Sequence, residues 1–356
     1  MTPARAALSG PVSRVDPAAH ARRMPADDDA LRLDSNEGPL PPRALFTALA
    51  DADPELLRRY RDAGALEAAL ATRLGVTPER VIVTAGADEA IDRACRAFLE
   101  PGRTLLLPEP TFELFERFAT LAGGGVQRVP WPAGPFPGDA FLERLVARTA
   151  VVAVVSPNNP TGAVATLADV RRLAGAAANA LVVLDHAYVE YADRDLTPAL
   201  LDLENVLVVR TFSKAWGLAG CRVGYAVGSP YVVSVLRAAG GPYSVASPSV
   251  ALALHQLERG EAALRAHVAR VREERAALSA WLVGRGLAPV ASQANFVLAD
   301  FGPRAARVWV GLAALGVLVR DFPLRAGLET SLRITLPGDP TQFQRLCAAL
   351  DAVLRP

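Results

Sequence analysis

An α/β fold built on a mostly parallel sheet, followed by a smaller α+β unit, is what this 356-residue sequence predicts. Three observations lead there. Short apolar runs with few polar residues recur between about residues 81 and 229, as strands buried on both faces require. Helical patterns alternate with those runs, the order that gives parallel sheets covered by helices. Beyond about Ser247 the pattern changes to long helix and then to shorter mixed elements.

The elements follow in order. Residues 1 to about 35 show no clear period and read as an arm. "VIVTAG" (81–86) is a strand leading into an amphipathic helix to about Leu99, and "TLLLPEP" (104–110) leads into "TFELFERFATLAG". "AVVAVVSP" (150–157), "ALVVLDHA" (180–187), "NVLVVRTFS" (205–213) and "RVGYAVGS" (222–229) are further buried-type strands. One long helix is expected from about Ser247 to Gly286. After it come "ANFVLADF", a helix to Gly316, "VLVRDF", "SLRITL" and a last helix over 340–354. The expected organisation is an arm (1–35), a large domain (36–245) and a small C-terminal domain (246–356) packed with the arm.

Composition narrows the function. A net charge of +1 argues against nucleic acid or an acidic membrane as the main partner. No apolar run reaches the roughly 18 residues of a membrane span. The first 30 residues lack an apolar signal core. Cys95, Cys221 and Cys347 are scattered, forming neither a metal spacing nor a disulfide framework, so no metal is expected and the cytoplasm is the expected location.

Of the 38 basic residues only one, Lys214, is lysine. Arginine serves as well for solubility and surface ion pairs, but a guanidinium cannot become a nucleophilic amine at neutral pH. Schiff-base chemistry needs a primary amine, so lysine is irreplaceable there. Lys214 follows a buried-type run and opens a Gly-rich loop, with Ser213 before it and Arg222 eight residues on. Strand ends of α/β sheets are where ligands bind. The pattern points to an imine-forming lysine beside an anion site.

"SKAWGLAGCRVGY" (213–225) resembles the Ser-Lys-x-x-Gly-x-x-Gly-x-Arg-x-Gly-Tyr signature of class I/II aminotransferases, pyridoxal-phosphate (PLP) enzymes of fold type I. Within them it is most similar to the histidinol-phosphate aminotransferase branch, and the likeness runs from about Leu33 to the C-terminus. The resemblance implies fold type I and PLP as cofactor, with Lys214 as its covalent anchor and proton carrier. Asp185 would pair with the pyridine nitrogen, and Tyr188 and Asn159 would donate to the phenolic oxygen. Phe112 would stack on the ring. Thr211, Ser213 and Arg222 would meet the phosphate with Gly86, Ala87 and Asp88, which stand where a strand turns into a helix and free N–H groups favour an anion. Tyr60 matches a tyrosine that reaches the phosphate from the partner subunit, implying a homodimer with shared sites. Arg333 matches the arginine that grips the substrate α-carboxylate. Arg320 and Asn36 match further positions of the substrate pocket.

The chain departs from that family in places. Ala87 stands where Ser is usual, Ser156 where Asn is usual and His186 where Glu is common. No tyrosine precedes Tyr60, although the family carries one in the N-terminal region that contacts substrate. The implied reaction moves an amino group between an amino acid, or an amino-alcohol phosphate like histidinol phosphate, and a 2-oxo acid such as 2-oxoglutarate. Two alternatives keep the scaffold: a PLP decarboxylase of a phosphorylated amino acid, and a PLP-sensing regulator. The second is not expected, since the roughly 35 residues before the first motif read as too few and too irregular for a DNA-binding unit. A nicotinamide dehydrogenase is not supported, because no G-x-G-x-x-G follows the first strand.

Overall fold

The computed structural model describes residues 29–355 and arranges twelve strands in two sheets. They are β1 (Leu31–Leu33), β2 (Val81–Thr84), β3 (Thr104–Glu109), β4 (Gly125–Pro130), β5 (Thr149–Val155) and β6 (Leu181–Asp185). The others are β7 (Val206–Thr211), β8 (Gly224–Val227), β9 (Ala288–Pro289), β10 (Phe296–Asp300), β11 (Val317–Asp321) and β12 (Ser331–Thr335). Seven strands form the larger sheet, in the order β2-β8-β7-β6-β5-β3-β4. Its β4-β3-β5-β6-β7 part is parallel, and β8 runs antiparallel to both of its neighbours.

The apolar runs are continuous because both faces are covered. Along β5, Val152 and Val154 enter one hydrophobic cluster, while Val151, Ala153 and Val155 enter the other. A period-2 alternation thus leaves no solvent side, and every position of β5 and β6 is buried. β4, which the sequence reading did not anticipate, is an edge strand with mostly partly buried or exposed residues, so it carries no apolar run.

The smaller sheet has the order β1-β11-β12-β10-β9. β1 lies within the stretch read as an arm. At three residues it is too short to show a period, and it is held by parallel pairing with β11. Residues 1–28 of the expected arm lie outside the described residues. The single long helix expected from Ser247 is in fact two, Ser247–Arg259 and Glu261–Val283. Gly260 ends one and starts the other, and a Cβ there would meet the Gln256 carbonyl oxygen at 2.7 Å. The helical composition continues through the break, so the pattern does not reveal it.

Among the described residues, no helix is long and apolar enough to cross a membrane. The ends of β5, β6 and β7 open on one side of the larger sheet, where Asp185 ends β6 and the loops carrying Asn159 and Lys214 begin.

Candidate active site

Asp185 is the last residue of β6 and only 3% exposed. Its Oδ1 accepts the Ala187 N–H at 2.9 Å. Burial pushes its carboxyl up to about 7 against that hydrogen bond, Asp88 adds to the rise, and nearby Lys214 opposes it. A buried carboxylate of this kind calls for a cation. Tyr188 follows in the turn, buried edge-on against Phe296, and its hydroxyl accepts the Asn36 side-chain N–H at 3.0 Å. Burial raises that phenol to about 12, so it stays protonated and can donate.

Lys214 lies just past β7. Its Nζ donates to the Ser35 carbonyl at 3.3 Å and sits 5.7 Å from the centre of the Tyr188 ring. Burial and the Arg333 charge lower the amine to about 8, with Asp88 and Glu37 pulling the other way and Arg222 lowering it further. The amine therefore exchanges a proton near neutral pH, as a general base must. The main chain around it is packed too tightly for a side chain at Gly38, where a Cβ would fall 1.6 Å from the Lys214 carbonyl oxygen.

Arg333, on β12 of the smaller sheet, reaches into the same cleft. It is 7% exposed, donating from Nη1 to Asn159 Oδ1 at 2.6 Å and from Nη2 to the Asp34 carbonyl at 2.7 Å, while its buried Nε has no partner. Burial lowers it to about 10. With Oδ1 of Asn159 accepting from Arg333, the amide NH₂ is the donor this side chain has to offer a ligand. Arg320 stands directly across from Arg333 in the β11–β12 register and against Phe322, with no hydrogen bond or ion pair among the described residues. Two neighbouring guanidiniums, one with an unpartnered Nε, have the donors to receive a carboxylate.

Asn36 is buried in the left-handed conformation (φ 56), which asparagine tolerates. Its N–H donates to Thr335 Oγ1 at 3.2 Å and its Oδ1 accepts from the same hydroxyl at 2.9 Å, while Asn295 reaches the Asn36 and Glu37 carbonyls. The segment Asp34–Glu37 thus crosses the cleft as a strap held by Arg333, Lys214, Thr335 and Asn295.

The anion cradle forms where β2 meets the helix Gly86–Phe98. No side chain caps that helix, so its first N–H groups are open to a ligand. Gly86 has φ 78, and a Cβ on it would meet Arg222 Nη2 at 2.7 Å. Arg222, also left-handed (φ 50), donates to Ser213 Oγ at 3.3 Å and to Asp88 Oδ2 at 2.9 Å. Thr211 Oγ1 accepts the Ser213 N–H at 3.0 Å and fixes the turn before Lys214. Gly224 keeps the strand close, since a Cβ there would lie 2.5 Å from the Ala87 nitrogen.

Phe112 is partly buried after β3, packed on the cluster that includes Phe115. Tyr60 is not in the cleft: it is 84% exposed and stacks on Tyr243 with ring centres 5.0 Å apart. His186 turns away from Asp185 toward Thr197 and Asp195. The sequence reading missed Asn158, Thr111, Asn295 and Thr335. Asn158 is fully buried and ties two cleft loops, accepting from Thr111 Oγ1 at 2.7 Å and donating to the Pro110 carbonyl at 2.9 Å and Thr161 Oγ1 at 3.0 Å. Its place in "SPNNPTG" was visible, but not its contacts.

The donor set fits PLP: a lysine amine, a buried carboxylate with no ion pair among the described residues, a side-chain amide and a phenol, and a helix start with an arginine for a phosphate. Comparison with known proteins agrees. A histidinol-phosphate aminotransferase of Granulibacter bethesdensis is 36% identical over 344 residues, covering 93% of this chain and 91% of the relative. One of Dinoroseobacter shibae is 37% identical over 351 residues and 93% of each chain. The structure of the Sinorhizobium meliloti histidinol-phosphate aminotransferase in complex with pyridoxal-5'-phosphate superposes with a TM-score of 0.81 at 27% identity, over 91% of this chain and 90% of that one. Residues 28–350 match the family described as aminotransferase class I and II, and the chain belongs to that family.

Proposed function

We infer that this chain is a PLP-dependent aminotransferase, using a histidinol-phosphate-like amino donor and a 2-oxo acid acceptor such as 2-oxoglutarate. The observation that carries the reading is the only lysine of the sequence, with its Nζ beside Tyr188 and its amine lowered first by burial and then by Arg333 and Arg222. The likeness to histidinol-phosphate aminotransferases over 93% of the chain supports the donor class.

Lys214 would hold the cofactor covalently, Asp185 its ring nitrogen, Asn159 and Tyr188 its phenolic oxygen, and Phe112 its face. Arg222, Ser213, Thr211 and the N–H groups of Gly86, Ala87 and Asp88 would hold its phosphate. When bound, PLP supplies an electrophilic carbon and an electron sink. The chain supplies the rest. Arg333 orients the α-carboxylate through two parallel N–H bonds, and Arg320 takes a distal anion. Asn36 positions the Tyr188 hydroxyl. Lys214 Nζ accepts a proton on one side of the cleft and returns it nearby, a task suited to an amine near pH 8.

A homodimer is part of this reading. Leu40, Phe46, Leu57, Tyr60 and Tyr243 are all exposed apolar or aromatic side chains, clustered mainly in one short segment. Exposed apolar side chains like these, with Tyr60 and Tyr243 stacked on each other, suit burial against a second copy. Tyr60 would then serve the neighbouring site. The near-neutral charge and scattered cysteines support a cytoplasmic location.

The test mixes PLP-loaded protein with a panel of amino compounds that includes histidinol phosphate, and follows loss of the bound-cofactor absorbance band. Consumption of a 2-oxo acid without carbon dioxide release is expected, and carbon dioxide release would instead mark a decarboxylase. Borohydride reduction and peptide mapping should place a pyridoxyl label on Lys214; an unlabelled digest refutes the assignment.

A further inference from the structure

Between β11 and β12 the chain makes two tight turns in succession. The Arg325 N–H donates to the Phe322 carbonyl at 3.0 Å, and the Leu328 N–H donates to the Arg325 carbonyl at 2.9 Å. Pro323 at the first corner and Gly327 at the second, with φ 78, suit such turns. Phe322 and Leu328 are the feet of this double turn, buried with Leu298 in a small cluster of their own. Leu324 at the tip is 99% exposed. Arg325, between feet and tip, is thereby aimed away from its own sheet.

It lands on the other sheet. Nη2 of Arg325 donates to the Thr111 carbonyl at 2.6 Å, and Nε and Nη2 both reach Glu109 Oε1 at 3.3 Å. Thr111 precedes Phe112, and its hydroxyl is bonded to Asn158, the neighbour of Asn159. The loop over residues 109–112 is thus held from its own sheet by Asn158 and from the smaller sheet by Arg325. Arg333 makes the second crossing, on Asn159.

We propose that Arg325 is a positioning residue: by gripping the Thr111 carbonyl it sets the Phe112 ring over the cofactor and couples that ring to the relative placement of the two sheets. The inference rests on the reading of Phe112 as the stacking residue. A charge-assisted bond to a main-chain carbonyl fixes the backbone on either side of it. Movement of the smaller sheet breaks the grip, and the loop then loses its tie to that sheet while keeping the bonds to its own, that of Asn158 among them.

The experiment uses the PLP-loaded enzyme and the variants Arg325→Ala, Arg325→Lys and Phe112→Leu. The Phe115 and Trp131 N–H groups bond to the Phe112 and Glu109 carbonyls, so their deuterium exchange reports on the loop. Arg325→Ala should speed that exchange about tenfold, the worth of one charged hydrogen bond, and leave β12 unchanged. It should also weaken the visible circular dichroism of the bound cofactor, and Arg325→Lys should restore part of both signals. Unchanged exchange at Phe115 and Trp131, or equal acceleration in β12, overturns the proposal. Phe112→Leu separates the two readings: if it leaves the cofactor dichroism intact, Phe112 does not stack, while the exchange result still judges the grip of Arg325.

Discussion

The anion cradle and the floor of the cleft are both charged, yet they are built on opposite terms. In the cradle, Arg222 is already paired with Asp88 and its side chain is 51% exposed. On the floor, Asp185, Lys214 and Arg333 are withdrawn from water with few partners of opposite charge. Burial moves them to about 7, 8 and 10, in each case toward the neutral form. The arginine of the cradle already has a partner of opposite charge. The floor is a set of desolvated charges that a cofactor and a carboxylate can pair, and its stability cost is offset when they bind.

Substitutions can break or sharpen that contrast, the largest effect coming first. Lys214→Ala should lower turnover on the order of 10⁴-fold or more, measured as keto-acid formation, because no other primary side-chain amine exists in the chain. Asp185→Asn should lower turnover by about 10²–10³-fold, the usual scale for losing one electrostatic contact in a buried site. Arg333→Lys keeps the charge but loses the two-pronged grip, so kcat/KM for the amino donor should fall about 10²-fold with smaller change in cofactor affinity. Arg222→Ala, at a half-exposed position, should weaken PLP binding only about tenfold by fluorescence titration.

Stability of the cofactor-free protein gives a subtler test. Asp185 holds its proton up to about pH 7 when folded but only to about 4 when unfolded. Its contribution therefore turns unfavourable as pH rises through that window, and stays so above it. Asp185→Asn should be more stable than the parent at pH 8 by a few kcal/mol, on the order of 1.4 for every tenfold change in proton affinity, with the gap closing toward pH 4 in urea titrations. Lys214 acts in the other sense: its amine is neutral when folded above about pH 8, so its cost is full below 8 and fades toward 10.5. Arg222→Ala should show no comparable gain at any pH. A gain as large as that of Asp185→Asn would erase the distinction between cradle and floor.

Much of the cleft was legible because its residues end apolar strands. Asp185 and Lys214 stand out against β6 and β7, and "SPNNPTG" stands out against β5, since a polar group at the end of a buried run needs a reason. Arg320 could be named only by likeness, among so many arginines; its special place comes from the cross-strand register with Arg333. Asn158 and Thr111 were unreadable as partners, for their bond closes between loops that follow two different strands.

The alternation of buried strands and helices, the lone amine and its place at a strand end are properties of local sequence, because side-chain chemistry and period are written residue by residue. The strap of Asp34–Glu37 across the cleft, the break at Gly260, the facing of Arg320 and Arg333 and the reach of Arg325 to Thr111 belong to the tertiary structure. The partners of the strap and of Arg325 lie far away along the chain, as far as the 299 positions between Asn36 and Thr335. A period carries no record of such distances: they are fixed only when two sheets pack and desolvate the groups between them.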